Sequence, residues 1–143
     1  MLRGRSAAKL DDKGRLKVPA AFRGYIEKTW GRDLFVTSVG RSAVLLYPLP
    51  VWAELEEQIG KLPQSDPALQ KFLDLVNYYG LEGGMDSQGR ILIHPAVRDM
   101  LGEGELAVLG KHRWLEVWNH DTLRGRLSAL TDEDLRVLSG LGF

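Results

Sequence analysis

Short apolar runs broken by turn-forming residues dominate the chain, and two stretches of it share one pattern. Leu10-Asp11-Asp12-Lys13-Gly14-Arg15-Leu16-Lys17-Val18-Pro19 reappears as Met85-Asp86-Ser87-Gln88-Gly89-Arg90-Ile91-Leu92-Ile93-His94-Pro95. Asp, Gly and Arg recur at a fixed offset of 75, as do the apolar positions around them and the later pair Arg23 and Arg98. His94 reads as one extra residue ahead of the second proline. Internal repetition of this kind predicts duplicated structure.

Each turn leads into the same series of elements. Ala20–Lys28 and Ala96–Leu101 read as short helices just past a proline, which suits a first turn because it has no N–H to lose. Gly31 and Gly102 are the expected stops. β-rich pairs come next: Leu34–Val39 turning at Gly40-Arg41 into Ala43–Tyr47, and Leu106–Leu109 turning at Gly110–Arg113 into Trp114–Trp118. Each unit thus reads strand, turn, strand, short helix, hairpin. Units of about fifty residues are too small to bury a good core alone, so the two are expected to pack on each other.

Between the units the apolar spacing turns helical. Trp52, Leu55, Ile59 and Leu62 make one stripe, and Leu69, Phe72, Leu73 and Val76 another. Pro63–Pro67 separates them, with Ser65 or Asp66 placed to cap the second helix. Beyond the second unit, Leu123, Leu127 and Leu130 continue the theme, and Thr131 with Asp134 predicts a capping box on a short last helix. The expected boundaries are 5–50 and 81–124 for the units, 51–80 for the linker helices and 125–143 for a helical tail.

Composition narrows the class. The chain has 143 residues, 44% hydrophobic and 27% charged, as in folded globular proteins. No apolar run approaches the ~20 residues needed to cross a bilayer, and the start leads directly into charged sequence without a signal-peptide core. There is no cysteine, so neither disulfides nor thiolate metal sites are available, and a cytoplasmic location is expected.

Net charge is zero, yet its distribution is uneven. Residues 1–32 carry nine Lys/Arg against Asp11, Asp12 and Glu27, leaving that segment at +6 and the remainder at −6. A neutral total hides a basic front end.

The turn motif carries chemistry. Gly14 and Gly89 permit a positive φ, while Asp11 and Asp86 can accept backbone N–H groups two or more residues ahead. Arg15 and Arg90 then stand at the root of a hairpin, able to pair with the Asp or to reach a phosphate or a guanine edge. One such motif is often only a turn with a surface ion pair worth little. Two copies with the same flanks weigh more.

Catalysis has poor raw material. His94, His112 and His120 are scattered, Asp11 and Asp12 point to opposite faces of an extended chain, and no nucleophile motif, phosphate loop or metal-ligand spacing occurs. Neither an enzyme nor a cofactor is expected. Trp30, Trp52, Trp114 and Trp118 fall on apolar faces or strand positions, where packing is their default role.

Met1-Leu2-Arg3-Gly4, Leu10-Asp11 through Pro19, Leu46-Tyr47-Pro48-Leu49-Pro50-Val51-Trp52, and Glu82 with Met85–Ile93 after it together resemble the MraZ family, over residues 1 to about 124. That family belongs to the SpoVT/AbrB-like group of swapped-hairpin DNA-binding domains. The resemblance implies an α+β fold of two tandem swapped-hairpin repeats, interlocked into a small barrel about a pseudo-twofold axis with peripheral helices. It also implies assembly into a homo-oligomeric ring, and regulation of the division and cell-wall gene cluster through short repeated boxes of double-stranded promoter DNA. Asp11 and Arg15 fall on the first family motif, Asp86 and Arg90 on the second. The chain departs from the family's pattern at Gly80, where alanine is usual, and in a linker helix whose only basic residue is Lys71.

On this reading Lys13, Lys17, Arg3, Arg5 and Lys9 are expected to neutralise phosphates, with Arg15 and Arg90 reading base edges. Asp11, Gly14, Asp86 and Gly89 hold the turns. The second unit has Gln88 and Leu92 where the first has Lys13 and Lys17, which ranks Arg90 below Arg15. No membrane or small-molecule partner is expected, and the protein is expected at the nucleoid. The rivals are a ring-forming scaffold of the same fold that binds no specific DNA, and an antitoxin-type relative, a class in which a single copy dimerises.

Overall fold

The computed structural model describes residues 1–142. Its first unit runs through β1 (Arg5–Ala8), β2 (Arg15–Lys17), α1 (Ala20–Trp30), β3 (Asp33–Thr37) and β4 (Val44–Pro48). Two helices come next, α2 (Leu49–Gly60) and α3 (Pro67–Tyr78). The second unit repeats the order as β5 (Leu81–Gly84), β6 (Arg90–Leu92), α4 (Pro95–Leu101), β7 (Leu106–Gly110) and β8 (Leu115–Asn119). Helices α5 (His120–Arg126) and α6 (Asp132–Val137) and a 3₁₀ turn at Ser139–Leu141 complete the described chain. Among the described residues, no helix is long and apolar enough to cross a membrane.

Local chemistry explains the helix ends. Pro19 precedes α1, whose Phe22 and Ile26 stand one turn apart and are both buried, and Gly31 stops it at φ 92°. Pro67 opens α3, where the Asp66 carboxylate accepts the Ala68 N–H at 2.8 Å. The capping box of α6 is formed as expected, Thr131 and Asp134 each accepting the other's backbone N–H. His94 is not an extra residue. It takes the place of Pro19, with φ −56° and ψ 137° against −56° and 140°, and its Nδ1 accepts the Ala96 N–H at 3.1 Å. The second proline has moved one position into the helix instead.

Strand pairing joins the units. One antiparallel sheet has the order β1-β7-β8-β4-β3-β5, and a separate two-stranded ribbon pairs β2 with β6. Exchanging the units turns each order into its own reverse. β1 pairs with β7 of the other unit, β5 pairs with β3, and the hairpins meet along β4 and β8. Neither unit's opening strand pairs with its own hairpin, so each sheet half is completed by the other unit. The two layers share one core, in which Leu16 and Ile91 of the ribbon are buried with Leu34, Val36, Val44, Leu46, Val108, Leu115 and Val117 of the sheet.

The linker helices dock only partly. Val51 and Trp52 of α2 are buried, with Trp52 packed on Phe35 and Tyr47, whereas Leu62 at the end of the expected stripe is exposed. Leu69 and Val76 anchor α3, and the buried Thr37 hydroxyl donates to the Val76 carbonyl at 2.6 Å. At Gly80 a Cβ would run into the Phe35 ring and that same carbonyl. After α5 the expected stripe breaks: Leu123 is buried, but the helix ends at Arg126 and Leu127 and Leu130 are exposed.

Candidate nucleic-acid interface

Both motif turns are held by their own aspartate. Asp11 Oδ1 accepts the N–H groups of Lys13 and Arg15, each at 2.9 Å, and Oδ2 accepts Arg15 Nε at 2.7 Å. Asp86 does the same for Gln88, Arg90 and Arg90 Nε, again at 2.9, 2.9 and 2.7 Å. Gly14 and Gly89 stand at φ 76° and 77°, the left-handed region that the turn needs. These bonds act on the carboxylates. The Arg15 N–H is the largest influence holding Asp11 below the ordinary carboxylate range; burial opposes it, and the Arg15 side chain and the Lys13 N–H add to the lowering. Asp86 is lowered to about 2, chiefly by the Arg90 N–H.

The ion pairs use one edge of each guanidinium. Nε is tied to the aspartate, so Nη1 and Nη2 remain for another acceptor, and both side chains are about one third exposed or less, at 27% for Arg15 and 30% for Arg90. Across the ribbon Arg15 lies opposite Leu92 and Lys17 opposite Arg90, while the central pair Leu16 and Ile91 points into the core. Residue alternation therefore puts Arg15, Lys17, Arg90 and Leu92 on one outward face. Arg15 Nη1 comes within 4.0 Å of Asp86 Oδ2, linking the two turns across that face.

The other cations nominated by the sequence divide. Lys13 sits on the first turn, and Lys9 faces one cleft with Lys17 and Pro19, so both border the ribbon. Arg3 and Arg5 lie at the opposite end of β1, against the β7–β8 hairpin, where Leu2 exchanges backbone bonds with His112 and Gly110 donates to Gly4. By strand rise Arg5 is about 13 Å from Lys9.

Two arginines without a sequence-assigned role reach the turns from the opposite unit. Arg23 on α1 lies over Gly89, and Arg98 on α4 lies over Gly14, so a Cβ at either glycine would strike a guanidinium. The backbone closes the same contact, since the Val18 N–H donates to the Gly89 carbonyl and the Ile93 N–H to that of Gly14. The offset of 75 shared by Arg23 and Arg98 was the available signal. Their target, a turn in the other repeat, depends on long-range packing.

These features define a class: a mixed α/β protein of two mutually completing units, bearing paired Asp–Arg turns on a two-stranded ribbon. Residues 1–75 match the family model described as "MraZ protein, putative antitoxin-like". The chain is 38% identical to a protein of Acidobacterium capsulatum and 40% identical to one of Koribacter versatilis, both named Transcriptional regulator MraZ, over 99% of this chain and of each relative. A protein of the same name from Klebsiella pneumoniae is 32% identical over 94% of this chain and 90% of its own. The chain belongs to the MraZ family.

Proposed function

We propose that this protein is a transcriptional regulator that binds short repeats of promoter DNA through the outward face of the β2–β6 ribbon. One observation carries the reading: Asp11 fixes Arg15 by Nε at 2.7 Å, leaving the Nη edge of an oriented fork on a face shared with Lys17 and Arg90. A fork held this way loses less conformational freedom when it meets guanine O6 and N7. Lys9, Lys13 and Lys17 supply phosphate contacts, and Arg90 supports from the second turn. Arg3 and Arg5, at the far end of β1, serve a DNA path that runs beyond the ribbon. The names carried by the relatives support the regulatory role.

The finer architecture belongs to the same proposal. The exchange symmetry of the strand order supports two swapped-hairpin repeats, 5–50 and 81–124, with linker helices at 51–80 and a tail at 125–143. In the proposed fold these repeats interlock as a small barrel. Exposed Leu127, Leu130, Val137 and Leu141 support self-assembly into a ring, whose several faces engage successive DNA repeats and raise affinity through effective concentration. The target is the division and cell-wall gene cluster, and the protein works in the cytoplasm at the nucleoid.

Fluorescence-anisotropy titration against DNA from upstream of the protein's own gene, beside a scrambled duplex and across a salt series, tests this. Tight, sequence-dependent binding that weakens steeply with salt is expected. Equal binding to both duplexes would overturn the sequence-specific reading, and no binding at low salt would assign the molecule to the scaffold class.

A further inference from the structure

The two cross-unit arginines occupy matching positions and meet different surroundings. Arg23 has two protein partners: Nε donates to Glu27 Oε1 at 2.9 Å and Nη2 to the Ser87 carbonyl at 2.8 Å. At Arg98 neither partner exists. The position matching Glu27 is Gly102, where α4 has already ended, and no bond forms to the carbonyl of Asp12, which matches Ser87. Among the described residues, the Arg98 guanidinium makes no hydrogen bond or ion pair, and its Nε is buried without any acceptor.

A half-buried guanidinium cannot lose its charge; its Nε is shut off from solvent, so Nη1 and Nη2, which have no protein partner and are not buried, are the donors it presents to an incoming anion. The anion is identified by the neighbours. Arg98 covers Gly14, between Lys13 and Arg15, at the turn that opens the ribbon. With Lys9 and Lys17, five cations surround this turn against the carboxylates of Asp11 and Asp12. At the second turn Arg90 is paired with Asp86 and Arg23 with Glu27, and Arg15 and Arg32 each come within 4.0 Å of one of these carboxylates, so both of that turn's own arginines are partnered.

We propose that Arg98 binds a DNA backbone phosphate at the first turn, so that the second unit completes the DNA-contacting surface of the first. The inference rests on the DNA-binding reading above. It makes the molecule's two faces unequal by construction: the first turn recruits an uncompensated arginine, and the second locks its counterpart into Glu27.

Arg98→Ala, Arg98→Lys, Arg23→Ala and Arg15→Ala in the full chain test it, using the fluorescein-labelled upstream duplex over a salt series together with thermal melts. Arg98→Ala is expected to bind about tenfold more weakly, with the slope of log K against log salt reduced by roughly one. Its melting temperature should be unchanged or raised, because an unpaired buried donor is removed. Arg98→Lys should recover most of the slope while regaining only part of the affinity. Arg23→Ala should do the reverse of Arg98→Ala, lowering the melting temperature and leaving the slope intact. If Arg15→Ala abolishes specific binding while Arg98→Ala keeps wild-type affinity and slope, the phosphate assignment is overturned and the regulator reading stands. If Arg15→Ala binds as wild type does, the underlying reading fails instead. A drop in melting temperature for Arg98→Ala with an unchanged slope would make Arg98 structural and also overturn the proposal.

Discussion

At the first turn Asp11 gathers Lys13 and Arg15, at the second Asp86 gathers Gln88 and Arg90, and the matching bonds have the same lengths. Around these cores almost everything differs. Gln88 stands in place of Lys13 and Leu92 in place of Lys17. Arg98 has no partner among the described residues, where Arg23 is held by Glu27. The contrast separates two kinds of constraint. Turn geometry is set by four residues acting on one another, so any copy of the motif reproduces it. Surface charge is set by side chains with no part in holding the turn, so it can change while the backbone stays fixed.

The strongest test of the shared part lies beneath the ribbon. Leu16→Ala and Ile91→Ala each remove a fully buried side chain from the common core and should each cost about 2–5 kcal/mol. Because each unit completes the other's sheet, both substitutions should lower one cooperative transition in a calorimetric scan. Two separate transitions would mean the units are independent.

A smaller effect is expected at the turns. Gly14→Ala and Gly89→Ala place a Cβ at φ 76° and 77°, a conformation that costs about 1–2 kcal/mol, and each also displaces a guanidinium. Urea denaturation should show Gly89→Ala as the worse of the two, since moving Arg23 also disturbs its bonds to Glu27 and Ser87.

The mildest difference appears in acid. Asp86 falls to about 2 in the folded chain from an ordinary 3.8, so it contributes stability above that ordinary value. The contribution is lost as pH drops from near 4 toward 2, where the folded carboxylate finally protonates. Asp86→Asn should flatten this acid limb of the stability curve. Asp11 is lowered in the same sense, and Asp11→Asn should act in the same direction in the same titration.

Much of this was legible in the chain, for physical reasons. The turns, the α1 stop at Gly31, the Asp66 cap and the Thr131–Asp134 box depend on neighbours within a few residues, and local sequence specifies them. Which strands pair was not legible from residue pattern. β1 and β5 are four residues long with alternating half-buried and exposed positions, and nothing in such a strand addresses it to the other unit's hairpin. His94 misleads because a proline shifted by one position looks like an insertion, while the backbone keeps the offset of 75. The Leu123, Leu127, Leu130 stripe failed because periodicity does not say where a helix ends, and α5 stops at Arg126. The Arg23 and Arg98 contacts join residues far apart in sequence, so the offset marked the pair without revealing what it touches.

On the proposed reading the first turn, more than its twin, is where this protein meets DNA. The most direct test of that reading is an anisotropy titration of wild type, Arg15→Ala and Arg90→Ala against the upstream duplex at one moderate salt concentration. Arg15→Ala is expected to bind this duplex no better than a scrambled one, while Arg90→Ala is weakened yet still discriminates. Wild-type discrimination by Arg15→Ala, or a greater loss in Arg90→Ala, would contradict it.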